Sequence, residues 1–600
     1  MRVCKNRPHD VASPTVSPPP ARAVRCPPDR GAFVVRVDGR VRDMFRRSGL
    51  PVRVFLFDVF RRHTPVRLGN RRHHLREEIG GSDAGSPPPP SAPTYQIMRA
   101  GNPNRASRVL VAQSYFQRFD AKLHAAGQPV PPLGSIICAS VLRARGFDVR
   151  FFDAMLADSE AECATGLDQH QPDAMVIFED SFNYLSKMCL GRMREAAAAM
   201  IGLARDRGIP VIVSGSDASD DPEFFLRAGA AVVAAGEGEF AVADWLEASG
   251  SPDQVPGLVT LDGGGRVLRA RSRPVQTDLD AIPSPAWDLI DVARYRAIWG
   301  ARPGRFSLPL ATSRGCPFHC NWCAKPMWGQ RYNAVSPRRA AEEVETLRRL
   351  GAMQVSVVDD IFGLRPGWVE EFAVELERRQ LRLPFKCLSR ADLLSERTVA
   401  ALASAGCEMV WIGAESGAQT ILDAMEKGTT VEEIEGAATR LRRAGIKVGF
   451  FLQFGYPGET EAEVEKTLAL VDRALPDDIG ISVSYPLPGT AFHERVRSEM
   501  GRDQHWRDSS DLAMLFGGRH TTRYYRRLHA YAHARFRLAG WLRRPHTLGP
   551  LRAVQILRYG ALRAFWKAGL RLAARDLSPL PALPPGQSRA NAATPAGPLS

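Results

Sequence analysis

The chain has 600 residues, of which 44% are hydrophobic and 24% charged, with a net charge of +15. That length allows several domains, and the balance excludes a fibrous or wholly disordered protein. The positive excess is uneven: residues 1–97 carry 18 Lys and Arg against 8 Asp and Glu, and residues 501–600 carry 17 against 4, leaving residues 98–500 at −8. The central body is acidic, so the overall charge is no evidence for a nucleic-acid partner.

Residues 1–97 hold 14 prolines, an SPPPPSAP run and repeated Arg pairs, with no sustained hydrophobic period. Such a segment buries too little apolar surface to offset its chain entropy and is expected to be disordered, with Met98 an alternative start. It also lacks the compact apolar core of a signal peptide, and no apolar run is long enough to cross a bilayer, so a cytoplasmic protein is expected. Cys138, Cys163, Cys189, Cys387 and Cys407 lie among apolar neighbours and read as buried thiols.

From Arg108 short β-branched runs alternate with helical stretches: RVLVA, LGSIICASVLRARG, DVRFFDA, DAMVIFE, REAAAAMIGLARDRG, PVIVSGS, PEFFLRAG and AAVVAAGEGE. This order predicts a Rossmann-like parallel sheet with helices on both faces over residues 98–280, with ligands at the carboxyl ends of its strands. After a linker around LDAIPSPAWDLIDVARY, a second α/β unit over residues 281–500 has strands in SLPLATS, MQVSVVDD, PFKCLSRA, MVWIGAES, KVGFFLQFGYP and IGISVSYPLPGT. Six strand–helix repeats predict a partial (β/α)6 barrel of the TIM type, whose functional groups belong at the carboxyl ends of the strands. Asp359, Asp360, Arg390, Glu415, Ser416 and Gln453 fall there, although a lone Asp or Ser at such a place commonly caps a helix or closes a turn.

The first barrel strand runs directly into TSRGCPFHCNWC, where Cys316, Cys320 and Cys323 form a C-x3-C-x2-C triplet. Three thiolates in one short loop can hold three corners of an iron–sulfur cube and leave the fourth iron open. The competing reading is structural zinc, which prefers four ligands; His319 is the nearest fourth donor, and no second cysteine pair follows.

At these residues the sequence resembles the radical S-adenosylmethionine (SAM) enzymes, whose hallmark is this triplet with an aromatic residue, here Trp322, before the last cysteine. The resemblance implies that the three cysteines bind a [4Fe-4S] cluster whose open iron is chelated by SAM, and that one electron cleaves the sulfonium to a 5′-deoxyadenosyl radical. It also implies that Asp359 and Asp360 stand where the amino group of SAM is held, Arg390, Glu415 and Ser416 near its carboxylate and ribose, and the Gln453 segment near its adenine. The stretches PPLGSIICASVLRARGFDV, VIVSGSDAS and GAAVVAAGEGE resemble the cobalamin-binding domain of one large class of these enzymes. By that likeness Ser214, Gly215, Ser216, Gly236, Glu237 and Gly238 lie beside a bound cobalamin. The D-x-H-x-x-G motif that supplies an axial histidine elsewhere is absent, and Gly-Ser-Asp-Ala replaces the usual Gly-Gly-Pro-His. The competing reading is a Rossmann-like domain that binds only substrate or nothing.

The implied activity is a cobalamin-dependent methyltransferase acting on an unactivated carbon. Its alternatives are a radical cyclase or rearrangement enzyme of the same class, and a non-catalytic corrinoid or cluster sensor. A tRNA methylthiotransferase would need three further cluster cysteines in suitable places. A small-molecule or lipid substrate and an external one-electron reductant such as a flavodoxin or ferredoxin are expected, and no nucleic acid. Residues 501–600 form a basic helical region with a disordered end. In it Leu551, Val554, Leu557, Ala561, Phe565 and Leu572 share one helical face, opposite Arg552, Arg563, Lys567 and Arg571. That face can lie on an anionic membrane or, in the plainer reading, pack on the barrel.

Overall fold

The computed structural model describes residues 108–575, apart from 183–189, 249–254, 302–303, 324–327, 502–504, 508–511 and 544–549. The expectations for residues 1–97, Met98, Cys189 and the chain's last residues lie outside the described ones. All described residues belong to one compact unit, Pro89–Ser600.

The first sheet is built from β1 (Arg108–Ala112), β2 (Asp148–Phe152), β3 (Ala174–Phe178), β4 (Val211–Ser214), β5 (Val232–Ala234), β6 (Leu258–Leu261) and β7 (Val267–Arg269), in the order β2-β1-β3-β4-β5-β6-β7. Its first five strands are parallel, with Val111 opposite Phe151 and Ile177 opposite Val213. The central strand β3 reads AMVIF and is buried throughout, as a strand covered on both faces must be. Helices α1 (Leu133–Ala144), α2 (Ala161–His170), α3 (Leu190–Arg205) and α4 (Gly238–Glu247) cover it. The antiparallel pair β6–β7 was not expected, though the Asp-Gly-Gly-Gly turn between two β-branched runs is its signature.

The second sheet contains β8 (Ser307–Leu310), β11 (Gln354–Val357), β12 (Phe385–Ser389), β13 (Cys407–Glu415), β14 (Lys447–Phe454) and β15 (Asp478–Val483), all parallel, in the order β15-β14-β13-β12-β11-β8. It is the expected partial barrel. A two-stranded ribbon, β9 (Ser313–Arg314) with β10 (Asn333–Ala334), brackets the cysteine loop. Helices α5 (Pro337–Arg349), α6 (Trp368–Arg378), α7 (Glu396–Ser404), α8 (Val431–Arg443) and α9 (Glu461–Ala474) fill the connections. Both α8 and α9 start on capping boxes, Thr430 with Glu433 and Thr460 with Glu463, which satisfy the first free amides of each helix. One hydrophobic core runs from Ile136 and Ile137 of α1 through Leu279, Trp287 and Ile290 of the linker to Leu308 of β8, so the linker is the seam of the two α/β units.

Two C-terminal helices follow, α10 (Thr522–Leu542) and α11 (Pro550–Ala573). Arg535 of α10 ties the pair to α9 through Asp472 at 2.6 Å and Glu465 at 2.7 Å. The plainer expectation for the apolar face of α11 is corrected here. Leu557, Phe565 and Leu572 are exposed, and the helix packs instead through Trp566, Leu570 and Ala573. Among the described residues no helix is long and apolar enough to cross a membrane.

Candidate active site

The cysteine loop leaves β9 through Gly315, whose φ of +82° favours glycine and where a Cβ would stand 2.1 Å from the Arg331 carbonyl oxygen. Cys316 is buried, and Cys320 and Cys323 are half-buried. Burial, with the negative charges of Asp360, Cys320 and Cys316 nearby, pushes the Cys323 thiol up to about 12. A cation bound among the three sulfurs would offset that shift and favour their thiolate form. Among the described residues no group of three His, Cys, Asp or Glu is arranged to hold a metal ion, and His319, the zinc reading's fourth donor, is exposed. Three cysteines in one short loop, with His319 exposed, are the donor set that a cluster with one open iron takes, whereas structural zinc prefers four ligands.

Asn321, which the sequence reasoning missed, pins the loop. Its backbone amide donates to Met425 O at 3.1 Å, its Nδ2 donates to Ala424 O at 2.9 Å, and its carbonyl accepts from the Phe492 amide at 3.0 Å. The Tyr456 hydroxyl lies 2.9 Å from Asn321 Oδ1. Trp322 packs against the small cluster of Ile421, Met425, Tyr456 and Phe492.

The strand-end residues gather around this loop in different roles. Asp359 is 1% exposed and accepts hydrogen bonds from the Thr312 amide at 2.6 Å and the Ser313 hydroxyl at 2.7 Å, so it ties β11 to the strand leading into the cysteines. Its oxygens are engaged, which leaves the exposed Asp360, beside Cys323, as the member of the pair open to a ligand. Arg390 lays its guanidinium over Phe318, 3.7 Å from the ring centroid, and reaches Cys320 Sγ at 3.9 Å. Glu415 ends β13 at φ +55° and pairs with Lys427 at 2.9 Å, both buried. Ser416 faces Thr467, and Gln453 donates to Ser484. Lys427 is a further residue the sequence reasoning missed; its opposite charge twelve residues after Glu415 was the available signal.

At the carboxyl edge of the first sheet, Ser214 lies at the end of β4 with Gly215 and Ser216, next to Gly236, Glu237 and Gly238 after β5. Ser219 links the two loops, donating to Gly215 O and accepting from the Gly236 amide. Gly238 has to be glycine, because a Cβ would stand 1.9 Å from Ser214 Oγ. Beside them Ser114 donates to Glu179 at 2.5 Å, and burial pushes Glu179 up to about 7. Gln113 Oε1 and Nε2, Glu179 Oε2 and Ser181 Oγ are buried without a hydrogen-bond partner among the described residues. Orphaned polar atoms at the ligand edge of a parallel sheet mark a polar ligand's place, and they fit a corrin rimmed with amides.

The two edges meet. Arg314, two residues before Cys316, is 5% exposed, with Nη1 3.0 Å from Glu237 and Nη2 2.9 Å from Glu239, and Phe182 and Trp328 roof the guanidinium. Glu237 therefore faces Arg314 rather than open space. A cavity of about 60 Å³ lies at the same seam, lined by Leu133, Ile137, Phe182, Leu310 and Arg314 among others.

Two family models match the chain, the radical SAM superfamily over residues 310–471 and the B12 binding domain over residues 121–246. The chain belongs to the radical SAM enzymes that carry a cobalamin-binding domain. The cofactors of this family are a [4Fe-4S] cluster, SAM and cobalamin. Among curated relatives, an uncharacterized methyltransferase of Pyrococcus horikoshii is 26% identical over 66% of this chain and 85% of its own. The cytidylyl-2-hydroxyethylphosphonate methyltransferase of Streptomyces wedmorensis is 26% identical over 57% of this chain and 73% of its own. The anaerobic magnesium-protoporphyrin IX monomethyl ester cyclase of Cereibacter sphaeroides is 27% identical, and this match spans 45% of that relative's length. The fold is shared with the radical SAM methyltransferase TsrM of Kitasatospora setae, at TM-score 0.54 and 18% identity over 66% of this chain and 75% of that one. It is also shared with the cobalamin-dependent radical SAM enzyme OxsB, at TM-score 0.59 and 16% identity over 78% of this chain and 72% of that one.

Proposed function

We propose that this radical SAM enzyme transfers a methyl group to an unactivated carbon of a small-molecule or lipid substrate. The observation that carries the reading is Arg314, which joins the cysteine loop to the loop after β5 and so holds the ligand edges of both sheets against each other. When bound, the cluster and SAM supply a hydrogen-abstracting radical, and cobalamin supplies the methyl group. Cys316, Cys320 and Cys323 hold the cluster. Asp360, Arg390 and the Glu415–Lys427 pair would bind and orient SAM by its charged ends, with Ser416 near its ribose and the Gln453 segment near its adenine. Gln113, Ser181 and the Ser214–Ser216 and Gly236–Gly238 loops hold the corrin rim. Keeping both reactive partners on one substrate carbon is the protein's main contribution to rate. A flavodoxin or ferredoxin is the fitting electron donor.

The test is anaerobic reconstitution, read by ultraviolet–visible and electron paramagnetic resonance spectra, then an assay for 5′-deoxyadenosine and S-adenosylhomocysteine. Both cofactors and both products are expected. Deoxyadenosine without S-adenosylhomocysteine would replace methyl transfer by cyclisation or rearrangement, and a cluster that never cleaves SAM would make the protein a sensor.

A further inference from the structure

Seven large hydrophobic side chains are exposed among the described residues, and four of them lie on the C-terminal helix pair: Leu542 at 54%, Leu557 at 62%, Phe565 at 65% and Leu572 at 59%. The last three share one face of α11 with Ala561, Ala564 and Ala568, which are also exposed. This face points away from the side where Trp566, Leu570 and Ala573 pack the helix down. Leu542 joins the patch from the end of α10, where its carbonyl accepts from Arg552 of α11. Monomeric surfaces scatter such residues singly, and a stripe several turns long signals a partner.

The charges select the partner. From Leu512 to Arg575 there is no Asp or Glu, against 14 Lys and Arg. Some of these are used within the protein: Arg535 pairs with Asp472, and Arg537 and Arg558 lie over Tyr559. Lys567 and Arg571, expected opposite the apolar stripe, instead adjoin it, each three residues after one of its alanines, Ala564 and Ala568; both are exposed and have no ion-pair partner among the described residues. A second copy seated on this face would set cation against cation. A nucleic acid would answer the charge but leave the leucines and Phe565 in water. An anionic lipid surface answers both, taking the apolar stripe into its acyl boundary and the basic border among its headgroups.

We propose that α11 is an interfacial helix that docks the enzyme on anionic membranes, with Leu557, Phe565 and Leu572 as the inserted side chains. The proposal is independent of methyl transfer. The experiment is flotation of the full-length, cluster-loaded protein with vesicles of phosphatidylcholine alone or mixed in equal parts with phosphatidylglycerol, at low and high salt. Flotation is expected with the anionic vesicles and weakens with salt. A triple variant, Leu557→Ser with Phe565→Ser and Leu572→Ser, should lose about tenfold in vesicle affinity while keeping its cluster absorbance and deoxyadenosine formation. Lys567→Glu with Arg571→Glu should lose binding without removing any apolar side chain, which separates docking from misfolding. Equal binding by the triple variant, or no flotation of the parent, would overturn the proposal. So would a concentration-dependent dimer that the triple variant abolishes, which would give the face to a second copy.

Discussion

Replacing Arg314 by Met keeps most of the side-chain volume and removes the only cation that touches Glu237 and Glu239 in this buried trio. Two carboxylates would then face each other away from water, roofed by Phe182 and Trp328. Breaking a buried ion pair from one side costs about 3–5 kcal/mol, because the remaining charges stay buried. The loss should depend on pH, since burial raises the Glu237 carboxyl and Arg314, helped by the Gln276 amide, holds it down. Without the guanidinium the carboxyl, already above its unfolded value, rises further, so the variant is least handicapped at low pH and loses more stability as pH climbs through the raised carboxyl. Guanidinium unfolding of the variant and its parent at pH 5.5 and 8.5 would read this directly. Adding Glu237→Gln and Glu239→Gln should recover most of the stability, while the ratio of deoxyadenosine to methylated product stays high because the two loops are no longer aligned. A loss below about 1 kcal/mol at pH 8.5, or one equal at both pH values, would refute Arg314 as the tie.

Further outcomes come from Glu459, the Asp359–Asp360 pair and Gly238. Glu459 accepts from the Gly455 amide at 2.6 Å, and burial pushes its carboxyl up to about 8. Its proton is therefore held in the fold and lost on unfolding between the ordinary carboxyl range and pH 8, and stability falls as pH rises across that window. Glu459→Gln should match the parent near pH 4.5 and exceed it by several kcal/mol, on the order of 1.4 per pH unit across that window, above pH 8, in denaturant titrations at each pH. Asp359→Asn should destabilise by about 1–3 kcal/mol because it misplaces donors against Thr312 and Ser313, whereas Asp360→Asn should leave stability within about 0.5 kcal/mol and weaken SAM binding, measured by calorimetry. Gly238→Ala forces a Cβ into Ser214 Oγ and should cost about 1–3 kcal/mol in thermal unfolding while lowering cobalamin retention.

Both sheets were legible because a parallel strand covered on two faces must read as an apolar run, as in AMVIF and VIVS, and helices must separate such runs. The cysteine loop was legible because its ligands are neighbours in sequence. What stayed hidden depends on partners far along the chain. Arg314 meets Glu237 across 77 positions, and the Gly-Glu-Gly-Glu run looks like a ligand loop whichever way its carboxylates point. Asp359 and Asp360 are adjacent and identical, yet in the loop that leaves β11 one turns in to Thr312 while the other is exposed, and no period in the sequence tells them apart. In α11 the period put Leu557, Phe565 and Leu572 on one face but did not give its direction, since amphipathicity says that two faces differ and not which one is covered.

The missed contacts share one consequence for the chemistry. Asp359 fixes the strand entering the cysteine loop, Asn321 fixes its middle, and Arg314 fixes its start against the other sheet. Each tie is buried, so each is worth more than its surface counterpart and more costly to leave half-made. The loop is thereby shaped by the protein, and the geometry between the two ligand edges does not have to be assembled by the cofactors. For a reaction that must bring two reactive groups to one carbon, a misplacement of the order of 1 Å costs about a hundredfold in rate. Buried ion pairs suit that task better than apolar packing, because a guanidinium held by two carboxylates has one geometry, whereas interchangeable aliphatic contacts allow the two edges to slide.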